Sequence, residues 1–502
     1  PRSIGALLQR VGRSGHTVGG TPKGRLFPLT RDELAECVAL CRAVRRGNLD
    51  TLSIPPWPMD VLAQQIVASC AQEEWAEEDL FQLCRRAYPY RELPREKFDQ
   101  IIGVLSEGFT QRQSRRGSFL HRDGVNLVVK GRRGAPIAAM TSGGAIPDNA
   151  DYDVIADPDE TFVGTVNEDF AIESLKGDIF LLGNTSWKIR RVESGRVRVE
   201  DAQGQPPTIP FWLGEAPGRT WELSEEISEL KEAIDRRLYD GLDNLEIARQ
   251  WVVSEAGVDD ESGRQLVAYI AEGKRVLGLV PTKKHVVAER FFDESGGMQL
   301  VIHAPFGARI NRAWGLALRK RICRAFDFEL QASVTDDGLN FSLSPGLSMP
   351  VDEVFAYLSP NTIEEVLTQA VLQAPVFGTR WRWNATRALA ILRHSGGRKV
   401  PAPLLRMRSD DLLAAAFPAQ VACQDNTGPA DIELPDHPLV FETMRDCLTE
   451  AMDLEGCQGI LAGIQDGEIE VHGRDTVQPS VFSHQILNAM PYAFLDDAPL
   501  EE

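Results

Sequence analysis

Residues 9–16, QRVGRSGH, decide how the beginning of the chain is interpreted. Arg10 and Arg13 are three positions apart, and Gly12 leaves little side-chain bulk between them. We therefore expect a short turn and helix that presents both guanidinium groups on one side. Planar guanidinium groups match phosphate oxygens bidentately, so this arrangement suits a polyphosphate. A solvated turn of arginine and glycine is the alternative.

The pattern Q-R-x-G-R-x-G-H resembles the last ATPase motif of superfamily 2 helicases. In that family the glutamine and both arginines reach nucleotide that is held by the first RecA-like lobe. Arginine fingers stabilise the charge that develops on a transferring γ-phosphoryl group. The resemblance makes Arg10 and Arg13 candidate catalytic residues. It also makes Gln9, Arg10 and Arg13 candidate ligands of ATP with Mg²⁺.

Two other parts of a helicase nucleotide site are missing from this sequence. The only Gly-Lys pair, Gly273-Lys274, is followed by Arg275 and lacks the upstream glycine of a phosphate loop. The nearest match to a D-E-x-H box is DEVF at 352–355, which lacks the histidine and is predicted to start a helix. Residue 1 is not methionine. We therefore expect a fragment of a larger enzyme that does not hydrolyse ATP by itself.

The composition is that of ordinary globular domains. The 502 residues allow about three domains, and 43% are hydrophobic and 25% charged. The sequence has no run of 18 apolar residues and no positively flanked apolar leader, so neither a membrane nor a secreted protein is indicated. Eight cysteines never form C-x-x-C. They predict reduced thiols, a cytoplasmic location and no metal site.

Charge is distributed unevenly along the chain, whose net charge is −19. Residues 409–502 hold 19 acidic residues against Arg445 and Arg474, which predicts an acidic end that a protein partner could recognise. Residues 111–133, here called the basic patch, have the opposite character. A local patch of this kind can bind phosphates although the whole chain is negative. Its seven basic residues, set against Asp123 alone, are Arg112, Arg115, Arg116, Arg122, Lys130, Arg132 and Arg133.

Residues 1–50 are predicted to finish a RecA-like lobe, of which only a remnant is present. GRLFPLT, at 24–30, is predicted to be a strand. A helix follows, with Thr30 as its N-cap and Glu33 completing a capping box. The prolines of IPPWPMD, at 54–60, favour a linker.

Residues 51–149 are predicted to form a winged-helix domain. Helical periodicity covers 58–72, 75–87 and 94–107, and the alternating segments that follow predict a hairpin with Asp123-Gly124 at its turn. The later helix of a helix-turn-helix domain faces nucleic acid, and the basic patch flanks it here. A solvated charged hairpin is the alternative. The candidate DNA contacts are Arg115, Arg116, Arg132 and Arg133.

The remaining chain predicts two further parts. Short alternating runs between 150 and 222 predict a small β-barrel or curled sheet. Residues 223–502 predict first three helices, at 223–238, 244–256 and 263–278, and then mixed strands and helices, without internal repeats. The predicted fold class is an α/β remnant of a RecA-like lobe, then a winged helix, then an α+β domain with a β-barrel.

Several stretches together resemble one family, the Lhr-type (large helicase-related) DNA helicases. They are QRVGRSGH, TSGGAIPD (141–148), PFWLGEAPGR (210–219), HAPFGARINRAWGLALR (303–319), RWRWNATRAL (380–389) and AMPYAFLDDAPLEE (489–502). The resemblance runs from the arginine motif to the last residue. The chain departs from the family by lacking the first lobe and most of the second.

For that family the resemblance implies two RecA-like lobes, a winged helix and a family-specific, DEAD/DEAH-associated domain that contains a β-barrel. It implies translocation 3′ to 5′ on single-stranded DNA, driven by ATP or dATP. It also implies unwinding of DNA and RNA:DNA duplexes, a role in DNA repair, and a bacterial-type cytoplasmic location associated with the nucleoid.

Two apolar residues are candidate DNA contacts on this interpretation. Stacking of a base on an aromatic ring tolerates any sequence, as a translocase requires, so Trp212 beside Gly214 is the preferred stacking platform. A core tryptophan that caps the barrel is the alternative. Ile146, on a glycine-rich segment after the wing, is a candidate wedge against a nucleotide or, equally, a packing residue.

Other conspicuous residues are weaker candidates. His303 has no partner with metal-ligand spacing, so we assign it no catalytic role. Arg309, Trp381 and Trp383 are possible DNA-lining residues, although the two tryptophans, at strand spacing, could equally be core. The competing function is a non-enzymatic winged-helix adaptor that binds nucleic acid or a protein. A phosphate loop and D-E-x-H box encoded immediately upstream would favour the helicase.

Overall fold

A computed structural model describes residues 1–14, 19–109, 117–147, 151–174, 176–182, 185–193, 195–203, 218–238, 244–293, 296–326, 331–343, 348–421 and 431–487. Packing divides the chain into two compact units, each built from separate stretches of sequence. Unit 1 comprises Pro1–Leu52, Glu215–Ala370 and Thr449–Asp496, and unit 2 comprises Ser53–Gly214, Val371–Leu448 and Asp497–Glu502.

The first two helices belong to unit 1. Helix α1 spans Ile4–Gly12 and α2 spans Arg31–Arg46. The predicted capping box is confirmed, because Glu33 N donates to Thr30 Oγ1 at 3.1 Å and the Glu33 carboxylate accepts from Leu29 N at 2.7 Å. The strand predicted at 24–30 is wrong. This segment pairs with no other strand among the described residues, and its Phe27 and Leu29 are exposed.

The winged helix opens unit 2, and its predicted three helices and hairpin are confirmed. Helix α5 buries Phe98, Ile101 and Leu105 in the core of this domain. The strands form a small sheet of order β1-β3-β2, and the wing turn is closed by Asp123, whose carboxylate accepts from Val125 N. The elements are α3 (Met59–Cys70), β1 (Trp75–Ala76), α4 (Glu77–Arg85), a 3₁₀ turn (Tyr88–Tyr90), α5 (Arg95–Glu107), β2 (Leu120–Asp123), β3 (Val128–Gly131) and α6 (Ala135–Ser142).

Of the β-barrel and the curled sheet predicted for the next segment, the described residues form the curled sheet. Its elements are β4 (Asp151–Ala156), β5 (Thr161–Asn167), α7 (Glu168–Glu173), β6 (Ile179–Leu182), β7 (Thr185–Glu193) and β8 (Arg196–Asp201). The strand order is β5-β4-β8-β7-β6, and among the described residues the edge strands β5 and β6 share no backbone ladder. The sheet curls enough to bring Leu182 against Gly164, but its described strands do not close into a barrel.

Three helices return the chain to unit 1. They are α8 (Trp221–Arg237), α9 (Asn244–Ala256) and α10 (Asp260–Leu277), and all three were predicted from their periodicity. Their apolar faces share one core with α1 and α2. The helix that carries the arginine motif is therefore packed into unit 1 through its Ile4 and Leu7.

The rest of the chain supplies a second five-stranded sheet and more helices. Its first part contains β9 (His285–Phe292), β10 (Met298–His303), α11 (Ala308–Phe326), β11 (Gln331–Val334) and β12 (Gly338–Leu343). Its later part contains a 3₁₀ turn (Asp352–Ala356), α12 (Ile363–Leu372), α13 (Pro375–Arg387), β13 (His394–Ser395), β14 (Arg398–Lys399), α14 (Ala402–Ala416), α15 (Pro438–Asp446), a π-helical turn (Cys447–Ala451), α16 (Leu454–Gln465), β15 (Glu470–Asp475) and α17 (His484–Leu487).

This second sheet belongs to unit 1. Its order is β11-β12-β10-β9-β15, antiparallel except for the last pair, where β15 runs parallel to β9. Strand β15 therefore returns from far along the sequence to form one edge of the sheet. Among the described helices, none combines the length and apolar character that a membrane crossing needs.

Helix α13 corrects the strand spacing inferred for RWRW. Trp381 and Trp383 both lie on this helix, and Trp381 is fully buried, with its indole N–H donating to Ser409 O at 3.0 Å. Trp381 is thus a core residue of unit 2. Trp383 is half-buried and lies under the guanidinium of Arg380 at 5.0 Å.

Candidate functional site

Helix α1 positions the arginine motif, and its N-terminus is capped twice. Ser3 Oγ accepts from Ala6 N at 3.0 Å, and the Asp50 carboxylate accepts from Gly5 N at 2.6 Å. Thr220 donates to the same carboxylate at 2.6 Å. A carboxylate at this end of a helix both satisfies free N–H groups and complements the helix dipole. These contacts fix where the helix begins.

The opposite end of α1 carries Gln9, Arg10 and Arg13. All three side chains are exposed, and none makes a hydrogen bond or ion pair within the part of the chain that the structure describes. Positions three and four apart lie on one side of a helix, so these side chains form one group. The structure therefore brings the predicted nucleotide ligands together and leaves them free to bind an anion.

A group of charges beside the start of α1, here called the Arg219 cluster, contains the buried Arg219 and Asp336, the half-buried Asp337 and the exposed Arg2. The Arg219 guanidinium donates two hydrogen bonds to Asp337, at 2.8 and 3.1 Å. Burial alone would raise the pKa of Asp337, but the facing Arg219 charge outweighs it and holds that pKa below the usual carboxyl range. The pair is therefore ionised at neutral pH.

Asp336 joins Arg2 to Arg219 and to the start of α11. One of its oxygens accepts from Arg219 N and from Ala308 N, each at 2.8 Å, and the other pairs with the Arg2 guanidinium. Arg2 precedes α1, whereas Ala308 begins α11. The helix with the arginine motif is consequently tied to the HAPFGAR segment through one carboxylate.

The described arginines of the basic patch differ in whether their side chains are free to bind DNA. Arg122 forms a bidentate pair with the buried Glu77, at 2.6 and 2.9 Å. Arg132 donates to the carbonyls of Leu120 and Ser106, at 2.6 and 3.1 Å, and so joins the wing to the end of α5. Arg133 is exposed. Of the candidate DNA contacts, Arg133 is thus available, Arg132 is already engaged, and Arg115 and Arg116 lie outside the described residues.

The basic residues of α5 are also engaged. Arg95 donates to Asp99 and Glu78, at 2.8 and 2.6 Å. The Lys97 ammonium lies 4.8 Å from the ring centre of Phe441 on α15. In a helix-turn-helix domain, a helix at the position of α5 would contact DNA. Here Arg95 and Lys97 of α5 instead contact other residues of unit 2.

Ile146 lies on a segment that is held at its base. Gly144, at φ 122°, donates its N–H to Gln64 at 2.9 Å and its carbonyl accepts from Arg393 at 3.1 Å. Ile146 itself is 83% exposed. This exposure leaves the Ile146 side chain accessible to a ligand, as the predicted wedge requires.

The other sequence candidates fall into different environments. Trp212 lies outside the described residues. Arg309 donates to the carbonyls of Thr449 and Met452. His303 is buried and contacts Glu289 at 2.8 Å, and Glu289 also accepts from Ser480 and Ser483. These contacts give His303 the structural partner that its local sequence lacked.

Two family models match the chain. Residues 42–209 match the winged-helix domain of the large helicase-related protein, and residues 280–483 match the DEAD/H associated domain. A solved structure of the Mycobacterium smegmatis helicase Lhr, bound to ssDNA and AMP-PNP, has a similar fold. The TM-score is 0.74 with 27% sequence identity, over 97% of this chain and 55% of that one. The chain belongs to the Lhr family.

Full-length Lhr relatives are longer than this chain. It is 31% identical to the Lhr helicase/uracil glycosylase of Escherichia coli (strain K12), over 100% of this chain and 32% of that protein. It is 29% identical to the ATP-dependent helicase Lhr-Core of Saccharolobus solfataricus, over 97% of this chain and 54% of that protein. The chain thus spans about a third to a half of the curated relatives it matches.

One exposed apolar feature of this Lhr-family chain is not predicted from the sequence. Helix α6 was not predicted, and it presents Ile137 and Met140, which are 62% and 86% exposed. The two are three residues apart, so they share one side of the helix directly before the Ile146 segment. The apolar run APIAAM, which follows the wing, was the available signal for this helix.

Proposed function

We propose that this chain supplies the arginine fingers and the single-stranded DNA-binding domains of an ATP-dependent DNA helicase of the Lhr family that moves 3′ to 5′ and acts in DNA repair. The observation that carries the proposal is the exposed, unpaired group of Gln9, Arg10 and Arg13 on a capped helix. The likeness to a helicase bound to ssDNA and AMP-PNP supports both ligands.

At the nucleotide, Arg10 and Arg13 would contact the phosphates of ATP, with Gln9 beside them. Guanidinium groups placed there stabilise negative charge on the transferring phosphoryl group. Mg²⁺ and most phosphate contacts fall to another part of the protein, because this sequence has no phosphate loop or D-E-x-H box. The chain by itself is therefore expected to be inactive in ATP hydrolysis.

Single-stranded DNA would bind along the segment that follows the wing strand β3, from Arg133 to Ile146. Arg133 is an exposed cation that would contact a phosphate, and Ile146 would press on a nucleotide. Arg115 and Arg116 are proposed as further phosphate contacts, with Arg132 acting mainly to position the wing. The duplexes unwound would include DNA and RNA:DNA hybrids. A cytoplasmic, nucleoid-associated location and a protein partner for the acidic end belong to the same proposal.

Trp212 is proposed as the platform on which a base stacks. Trp212→Ala should then weaken single-strand binding by about 1–3 kcal/mol without changing the melting temperature, and Trp212→Phe should recover part of the loss. A core tryptophan would instead cost about 3–5 kcal/mol of stability on truncation. Fluorescence anisotropy and thermal melting of the same variant separate these roles.

ATP hydrolysis by the full-length protein tests the proposed function. Arg10→Ala or Arg13→Ala should lower DNA-stimulated turnover on the order of 10³-fold, as for other arginine fingers. Arg275→Ala is the matched control, because Arg275 is an exposed arginine that pairs with Glu272 one turn away. Full turnover in both finger variants would refute the assignment. A full-length protein that binds DNA but never hydrolyses ATP would favour the adaptor.

A further inference from the structure

Two histidines and a glutamate converge where β9 and β15 pair. The three closest atoms are His285 Nδ1, His472 Nε2 and Glu470 Oε2. The two nitrogens are 3.4 Å apart, and each lies 3.5 Å from the carboxylate oxygen. Three potential ligand atoms thus form a nearly equilateral triangle.

The parallel register of the two strands produces this triangle. Glu470 pairs with His285, and His472 lies two residues further along β15. Residues two apart on a strand project from the same face, so Glu470 and His472 share one face beside His285. Residues 285 and 472 are far apart in sequence, and only this strand pairing unites them.

The backbone that carries the triangle is held firmly. A turn precedes β9, with reciprocal hydrogen bonds between Thr282 and His285 at 3.0 and 3.2 Å. Glu470 N donates to Lys284 O at 2.8 Å, which fixes the start of β15 against the same turn. The neighbouring cation Arg474 is directed to the carbonyls of Leu277 and Gly473. The ligand atoms are therefore pre-positioned by main-chain contacts.

The spacing fits a tetrahedral metal ion better than a hydrogen bond. Ligands about 2.0–2.1 Å from a tetrahedral zinc ion lie about 3.3 Å from one another. The observed 3.4 Å between the nitrogens is long for a hydrogen bond, whose usual length is about 2.9–3.0 Å. The side chains of His285, Glu470 and His472 are 39%, 63% and 24% exposed, so water can reach a fourth position.

We propose that His285, Glu470 and His472 form a binding site for a divalent transition-metal ion, with Zn²⁺ as the best fit. Two imidazoles and one carboxylate are a ligand set that zinc accepts, with a fourth position left for water. The ion would cross-link β9 to β15 and so fasten the edge strand of the unit 1 sheet. Beyond β15 the chain continues to Ser480 and Ser483, which contact Glu289 on β9. The site therefore secures the path of this segment.

Zinc titration of the purified chain, after removal of metal with EDTA, tests the proposal. A chromophoric chelator serves as the competitor, and bound zinc is counted by mass spectrometry. Wild type should bind one equivalent that His472→Gln binds at least about tenfold more weakly, because losing even an outer-shell partner of a metal ligand costs about 10–100-fold. Zinc should raise the melting temperature of wild type and leave that of the variant unchanged.

His121→Gln is the matched control, since His121 is an exposed histidine on the wing strand β2. It should retain the full affinity of wild type. If His472→Gln does not fold, as circular dichroism without metal would show, His285→Gln gives the same comparison from the other strand. Zinc binding by either folded variant with wild-type affinity and stoichiometry would overturn the proposal.

Discussion

Arg219 and Asp337 face each other inside unit 1 through two hydrogen bonds, 2.8 and 3.1 Å long. The Arg219 side chain is only 2% exposed, so its charge depends on this partner and on Asp336. Removing one member of a buried pair costs about 3–5 kcal/mol when the other charge is left uncompensated, and the nearby carboxylates of Asp336 and Glu36 place the loss of Asp337 at the lower end of that range. Through Asp336 and Arg2, the same cluster supports the start of α1.

Asp337→Asn should therefore destabilise unit 1 by about 3 kcal/mol, measured as a lower urea midpoint of the transition that includes α1. Asp475→Asn is the control, because Asp475 pairs with Arg290 at the surface and is 67% exposed. An exposed pair contributes about 0–1 kcal/mol. Equal effects of the two substitutions would show that the Arg219 cluster is not an important support.

The basic patch predicts a specific change in the salt dependence of DNA binding. Each phosphate contact on a single strand contributes about 0.7 to the slope of log affinity against log salt. Replacing Arg115, Arg116 and Arg133 together by alanine should flatten the slope by about 2. Arg86→Ala, at an exposed position after α4 and outside the patch, should leave it unchanged. An unaltered slope in the triple variant would place the DNA elsewhere.

Glu442 predicts a pH dependence for unit 2. Burial, reinforced by the carboxylates of Asp60 and Asp446, raises its pKa from 4.5 to about 7, although Arg445 opposes this. A carboxyl with a raised folded-state pKa stabilises the fold at low pH, and this contribution is lost as pH rises from about 4.5 to about 7.

Glu442→Gln should remove that contribution while keeping an oxygen for the hydrogen bond from Met59 N. The melting temperature of unit 2, compared at pH 5.5 and 7.5, should then change less with pH in the variant than in wild type. Glu96→Gln, at an exposed position on α5, should behave as wild type. A wild-type pH dependence in Glu442→Gln would mean that other groups cause it.

Local signals in the sequence were sufficient for much of the fold. Helical periodicity predicted α3 to α5 and α8 to α10, and the Thr30 capping box predicted the start of α2. Alternation also predicted β4 to β8 correctly as strands. These features depend on neighbours within a few residues, which a single sequence displays.

Features that depend on distant pairing were not predictable in the same way. Whether β5 and β6 meet decides between a sheet and a barrel, and no local pattern shows it. The 24–30 segment had the residues of a strand but finds no partner strand among the described residues, and an isolated strand is not stable. Trp381 has high strand propensity, yet packing in unit 2 holds it in a helix.

The candidate sites also differ in whether they depend on neighbours in the sequence or on distant pairing. Gln9, Arg10 and Arg13 are close in sequence, so their spacing alone predicted a common surface. His285 and His472 are brought together by a parallel strand pair, which no local pattern shows, so the sequence predicts no metal site. Arg132 was predicted as a DNA contact because its charge was visible, whereas its carbonyl partners were not.

Strand displacement by the full-length protein tests the proposed helicase most directly. With ATP, wild type should displace the strand of a duplex that carries a 3′ single-stranded tail and should leave a 5′-tailed duplex intact. Arg10→Ala and Arg13→Ala should abolish the displacement while still binding the tailed DNA. Displacement at the wild-type rate in both variants, or no ATP-dependent displacement by wild type on either substrate, would contradict the proposal.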